Sequence, residues 1–260
     1  MYKRSTEGVG WRLKALAAML LAACAIALCT ALPGQAWGAT TVMDGEELEN
    51  AFATSGEVEL GGDFEVDKTI TVPVGVSMKL DLNGHTITGT DNATGNFSLI
   101  DNRGTLTIND SVGNGEIVLE AIHNRAWDAY SSVLTNSPGG ILTINGGTIA
   151  HLGGSAMAYG IDNLTNGSSG TAKVTINGGV VESVYRSVRM FANSASDLNS
   201  LVITSGVLNG QVWLQSPNEK QNLASLVIEG GSFAPKGNDS SSVYVETASS
   251  KAVVVPSQPR

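Results

Sequence analysis

A chain of 260 residues with 31 glycines, 5% aromatic content and a formal charge of −9 is long enough for one well-cored domain. Its acidic balance excludes nucleic acid and anionic lipid as natural partners, since both need clustered positive charge, and weighs against polyanionic substrates. The two cysteines, Cys24 and Cys29, both fall near the N-terminus, so the remainder has no thiol for a disulfide, a Cys-ligated zinc or a nucleophile.

Residues 1–38 read as a secretory signal peptide. Lys3, Arg4, Arg12 and Lys14 form a positive start, Ala15 to Leu32 is an almost unbroken apolar run, and Pro33-Gly34 breaks it. Ala36-Trp37-Gly38 then places small residues at −3 and −1 of a cleavage before Ala39. Two rival readings remain. The apolar run approaches membrane-spanning length, and Leu21-Ala22-Ala23-Cys24 looks like a bacterial lipobox, which would make Cys24 a lipidation site. Cleavage removes four of the 15 basic residues and one of the 24 acidic ones, leaving 11 and 23 and a net of about −12. The product is expected to be secreted or displayed at the cell surface, with no membrane insertion.

Residues 39–55 are expected to hold a short capping helix. Asp44 is an N-cap candidate with Glu47 three residues on, and Leu48, Ala51 and Phe52 follow on one helical face. Residues 56–245 carry a repeat. Leu80-Asp81-Leu82-Asn83-Gly84 aligns with Leu142-Thr143-Ile144-Asn145-Gly146 and Val174-Thr175-Ile176-Asn177-Gly178, and weaker copies start at Leu106, Leu201 and Leu226. Each unit is strand, Asn-Gly-type turn, strand. The starts are 26, 36, 32, 27 and 25 residues apart, too long for single hairpins and too short to bury an apolar face alone, so neighbours must stack. The expected fold is all-β: a right-handed parallel β-helix, a single-stranded solenoid of about six coils with a short N-terminal capping helix. Residues 246–260 read as a C-terminal tail without a recognisable cap, as in a truncated product.

In-register stacking predicts an inward row of Leu80, Leu106, Leu142, Val174, Leu201 and Leu226, and a second of Leu82, Ile108, Ile144, Ile176, Ile203 and Ile228. Asn83, Asn109, Asn145 and Asn177 are expected to form a structural amide ladder on one turn. The residue between the rows runs Asp81, Thr107, Thr143, Thr175, then Val202 and Val227. Two valines on a solvent face point to a packing partner near the later coils.

The segment Thr71-Val72-Pro73-Val74-Gly75-Val76, followed by Leu80 to Ile87, resembles the opening coils of pectin-lyase-like β-helix proteins. With the preceding helix it looks especially like large surface or adhesin-type proteins of Gram-positive gut and oral bacteria. The resemblance spans about residues 42–245. It implies the fold and leaves activity open, because that fold hosts lyases, hydrolases and non-enzymatic adhesins.

No catalytic constellation emerges from the sequence. There is no Asp-Asp pair, His85 is followed by Thr86, and no spacing nominates two carboxylates flanking a glycosidic bond. Arg186 and Arg189 are the only close basic pair, and their odd separation predicts opposite faces of one strand. His123 and His151 lack metal-ligand spacing and read as surface residues. No metal, cofactor or catalytic residue is assigned. The longest repeat contains His123, Arg125, Trp127, Asp128 and Tyr130, an insertion suited to stacking on a sugar ring and bonding its hydroxyls; Trp213 is a lesser candidate. The expected function is a non-enzymatic surface module presenting loops for adhesion to a polysaccharide or host-surface glycan. A carbohydrate-active enzyme and a structural spacer are the alternatives.

Overall fold

The computed structural model describes residues 38–93, 95–121, 129–153, 157–165, 170–192, 198–215, 224–236, 241–246 and the backbone of 250–254. The chain divides into two units, Met1–Gly38 and Ala39–Arg260, and every described strand belongs to the second. β1 (Thr40–Val42) and α1 (Gly45–Phe52) come first. Three-strand coils follow: β2 to β4 (Gly56–Leu60, Phe64–Val66, Ile70–Val72), β5 to β7 (Ser77–Asp81, Thr86–Asp91, Phe97–Asn102), β8 to β10 (Thr105–Asn109, Glu116–Ala121, Ser131–Asn136) and β11 to β13 (Ile141–Ile144, Thr148–Gly153, Ala158–Thr165). In the next two coils the second and third strands fuse, giving β14 and β15 (Thr171–Ile176, Val180–Ala192), then β16 and β17 (Leu198–Ile203, Val207–Gln215). β18 to β20 (Ala224–Ile228, Ser232–Ala234, Val243–Val245) and β21 (Ser250–Val254) complete the described strands.

All pairing is parallel. The first strand of each coil joins β1 and β21 in a nine-stranded sheet. The second strands form another, from β3 through β12 into the first halves of β15 and β17, then β19; the third strands run from β4 through β13 into the second halves, then β20. This is the right-handed parallel β-helix expected from the repeat. It has seven full coils among the described residues, and the nine strands of the first sheet span about 38 Å. The extra coil is β2 to β4, whose Val58-Glu59-Leu60-Gly61-Gly62 is a copy of the repeat disguised by a glutamate.

The core is a set of inward rows, and their register corrects the expected one. Leu106 pairs with Met78, and Ile108 with Leu80. The first row is therefore Met78, Leu106, Leu142, Val174, Leu201 and Leu226, and Leu80 heads the second with Ile108, Ile144, Ile176, Ile203 and Ile228. The cause is local. Four residues connect β5 to β6, against two between Asn145 and β12, so the Leu-Asn-Gly signature slides two residues downstream. Leu82 points inward from this longer turn, buried beneath Gly115 and Gly147, where an added Cβ would come within 2.5 Å of it. Asn83 and Gly84 make the turn with φ of 51° and 79°, a region Asn and Gly enter at least cost.

The same slip removes Asn83 from the amide ladder; its side chain donates to the Leu60 carbonyl instead. Asp81 pairs with Asn109 and accepts from the backbone of Asn83 and Ser111. The ladder itself consists of Asn177 donating to Asn145 at 3.0 Å and Asn145 to Asn109 at 2.9 Å, closed by the Thr204 hydroxyl on Asn177. Likewise the outward row is Lys79, Thr107, Thr143, Thr175, Val202 and Val227. Its two valines are half-buried like the threonines before them.

α1 lies against the first coil. Asp44 accepts from the Glu47 N–H, and the Glu47 carboxylate accepts from Met43 N–H, both at 2.8 Å. This satisfies two amide donors at the helix start. Leu48 and Phe52 are fully buried, contributing about 1.5–3 kcal/mol each, and cover apolar rows that would otherwise meet water. Among the described residues no helix is long and apolar enough to cross a membrane.

Candidate functional site

The third-strand sheet departs from a plain solenoid wall. Ile70, Ile100, Leu134, Ile161, Val188, Val212 and Val243 are in register and point inward as an aliphatic row. The next residue of each strand points outward: Thr71, Asp101, Thr135, Asp162, Arg189, Trp213 and Tyr244. A second outer row is Ser98, Ser132, Tyr159, Arg186 and Gln211. Two consecutive inward residues separate the rows, as in Leu99-Ile100 and Val133-Leu134, all buried. β15 carries the matching register shifts on either side of Arg186. That irregularity overturns the opposite-face expectation for Arg186 and Arg189: a bulged strand loses strict alternation, and both arginines lie on the outer face.

Much of this outer face is shielded from water. Asp162 is 0% exposed and Arg189 5%, joined by a two-pronged ion pair at 2.8 and 2.6 Å. Burial alone would lower the pKa of Arg189, but the Asp162 charge and its hydrogen bonds outweigh burial and hold the guanidinium charged. Arg189 also sits 4.4 Å from the Tyr159 ring centre, 5.2 Å from Tyr130 and 5.1 Å from Phe191. Arg186 lies 3.9 Å over Tyr185 and 5.5 Å from Trp213, and Tyr185 contacts Tyr159 and Trp213 edgewise or tilted. The result is one continuous cluster of cations and aromatic faces over four coils.

Toward the earlier coils the cluster turns polar. The hydroxyls of Ser98, Ser132 and Thr135 bond one another. Asp101 accepts from Ser137 at 2.5 Å and from Arg103 at 2.6 Å. At the adjoining corner, Ser131 donates to Asp91 at 2.5 Å and lies 2.9 Å from His151 Nε2. His151 is buried, contrary to its surface reading; it pairs with Leu119 in the neighbouring strand and turns in at the corner toward Ser131. The Tyr159 hydroxyl and the Gln211 carbonyl oxygen are among the buried atoms without a hydrogen-bond partner. Burial pushes the Tyr159 phenol pKa well above its ordinary value, so it remains a neutral donor.

Of the residues nominated from the sequence, His123, Arg125, Trp127 and Asp128 lie outside the described residues. Tyr130 is half-buried against Arg189, and Trp213 belongs to the cluster. Sequence reasoning missed Asp101, Tyr159, Asp162 and Tyr185. A signal existed: two aliphatic residues or a Gly-Ile pair, then Asp or Thr, then Asn, at 99–102, 133–136 and 160–163. The Asn of each copy forms an inner ladder, Asn102 donating to Asn136 and Asn136 to Asn163 at 2.7 and 2.9 Å. It also bonds carbonyls of the first sheet, at Ile141 and Lys173, and so fixes the wall bearing the cluster. Among the described residues no group of three His, Cys, Asp or Glu could hold a metal ion. No family model matches the chain, and neither a curated protein nor a solved structure matches it.

Proposed function

We propose that this protein is an exported β-helix module of the pectin-lyase-like kind that binds glycan on the outer face of its third-strand sheet, without chemical turnover. One observation carries the reading: the aromatic and cationic cluster of Tyr130, Tyr159, Tyr185, Trp213, Arg186 and Arg189, continued by Tyr244, which is 44% exposed. Flat aromatic faces beside charged and hydroxyl-bearing side chains are what sugar rings use, stacking through C–H faces and bonding through hydroxyls. The signal-like residues 1–38 support export, and a surface adhesin is the natural role for such a face.

The test is retention of the exported protein on immobilised polysaccharides, with released reducing and unsaturated ends assayed in parallel. Retention without product supports the reading, and product release refutes it. Mass spectrometry of the exported chain is expected to find Ala39 at its start; a start at an acylated Cys24 would mean lipoprotein anchorage.

A second reading, a glycoside hydrolase, rests on Asp101 and Asp162. They share one outer row two strands apart, about 10 Å along the sheet, just beyond the wide end of an inverting acid/base separation of about 6.5–9.5 Å. Both carboxylates are already engaged, by Arg103 and Ser137 and by Arg189, which favours the binding reading.

A further inference from the structure

We infer that the glycan taken by this face is uncharged, and that the Tyr159 hydroxyl is one of the groups that bond it; this rests on the glycan-binding reading above. The argument starts from which groups on the face are already satisfied. Arg189 is neutralised by Asp162 and Arg103 by Asp101. Arg186 is laid over the rings of Tyr185 and Trp213 and donates to the Tyr185 carbonyl. A polyanion arriving here meets cations whose charge is already balanced or spread over π faces, on a chain that is acidic overall. Electrostatic attraction is therefore weak.

Two of the atoms left without a partner on this face are neutral and adjoin Arg186. The Tyr159 hydroxyl and the Gln211 carbonyl oxygen lie in one outer row, on either side of Arg186. One is a donor and the other an acceptor. Leaving a buried polar atom unpaired costs about 1–3 kcal/mol, a cost that persists where a ligand later repays it. A sugar hydroxyl both donates and accepts, so the hydroxyls of a glycan chain satisfy both atoms and no carboxylate is needed, while any carboxylate brought here adds charge that no free cation among the described residues of this face balances. Tyr159 is fully buried, and its neighbours Tyr185 and Arg186 are half-exposed, so the ligand reaches its hydroxyl only when these two side chains move aside.

The experiment is calorimetric titration of the whole exported protein with cellohexaose, xylohexaose and mannohexaose, and with hexagalacturonate as the anionic counterpart. The wild type, Tyr159→Phe and Tyr244→Ala are compared, with melting temperatures recorded. Expected is binding of an uncharged hexasaccharide, about tenfold weaker in Tyr159→Phe, with the melting point unchanged or raised because the lost hydroxyl bonds nothing in the protein. Tyr244→Ala is exposed and keeps its fold; it should weaken the same ligand. Binding of hexagalacturonate alone overturns the inference while leaving glycan binding intact. Uncharged binding that Tyr159→Phe leaves unchanged overturns the role given to Tyr159. Binding of none of the four, together with no retention on any polysaccharide, overturns the glycan reading itself.

Discussion

Replacing Arg189 by Met is the sharpest stability test of the outer cluster. Arg189 and Asp162 are buried and share two short hydrogen bonds. Met keeps most of the aliphatic stem and removes the charge, leaving the Asp162 carboxylate out of water with no cation. Breaking such a pair from one side costs about 3–5 kcal/mol. For a domain of this length each kcal/mol lowers the melting point by about 2–4 °C, so a fall of about 6–20 °C is expected. Removing both charges tells the two halves of that cost apart. In Arg189→Met/Asp162→Leu no charge is stranded, and paired apolar replacement of a buried ion pair is often neutral. The double variant should therefore recover most of the loss. The assay is urea unfolding followed by circular dichroism, on the wild type and the three variants of the cycle. A single variant within about 1 kcal/mol of wild type, or a double variant as unstable as the sum of the singles, would refute the reasoning.

Leu82→Ala should lower stability by about 2–5 kcal/mol, since Leu82 is fully buried under Gly115 and Gly147 and its loss leaves a cavity; thermal melts decide it. Asp81 gives a pH signature. Burial opposes its charge, but the N–H groups of Ser111 and Asn83 prevail and lower its pKa below 3.8. A carboxylate lowered on folding adds stability above its unfolded pKa and loses it as pH falls through the folded value. The gap between wild type and Asp81→Asn should thus be constant from about pH 5 to 7 and close below about pH 4. A gap that widens in acid would refute the assignment.

What could be read in the sequence is what repeats in the sequence. The copies at 106, 142 and 174, Leu or Val followed by Thr-Ile-Asn, dictate strand, turn and stack with no long-range information, and their rows and amide ladder occur as the spacing implies. The errors fall where one coil differs from the next. Two extra turn residues at 82–85 shift the first copy, because alignment maximises matching letters while the backbone maximises inward apolar side chains. Glu59 hid a coil because an outward position tolerates any polar residue. The Arg186 and Arg189 faces were misjudged because alternation was assumed through a bulge, and a bulge leaves no mark in the side-chain pattern of a single strand. Asp162 and Arg189 are 27 residues apart, and only the coil length, which varies from unit to unit, brings them together.

The contrast between the two outer walls argues that the third-strand sheet is the working face. On the first sheet, outward positions are Lys79, Thr107, Thr143, Thr175, Val202 and Val227, side chains that fit a pleated surface and need no partners. A solenoid stabilised by stacking alone could wear the same residues on every wall. The third-strand wall instead buries an ion pair that apolar residues could replace without loss, leaves a phenol and an amide oxygen unbonded, and holds two arginines among aromatic rings. None of these choices improves coil stacking. Natural sequences depart from local rules mainly at functional sites, and here the departures share one face, the face to which Tyr130 of the longest repeat also belongs.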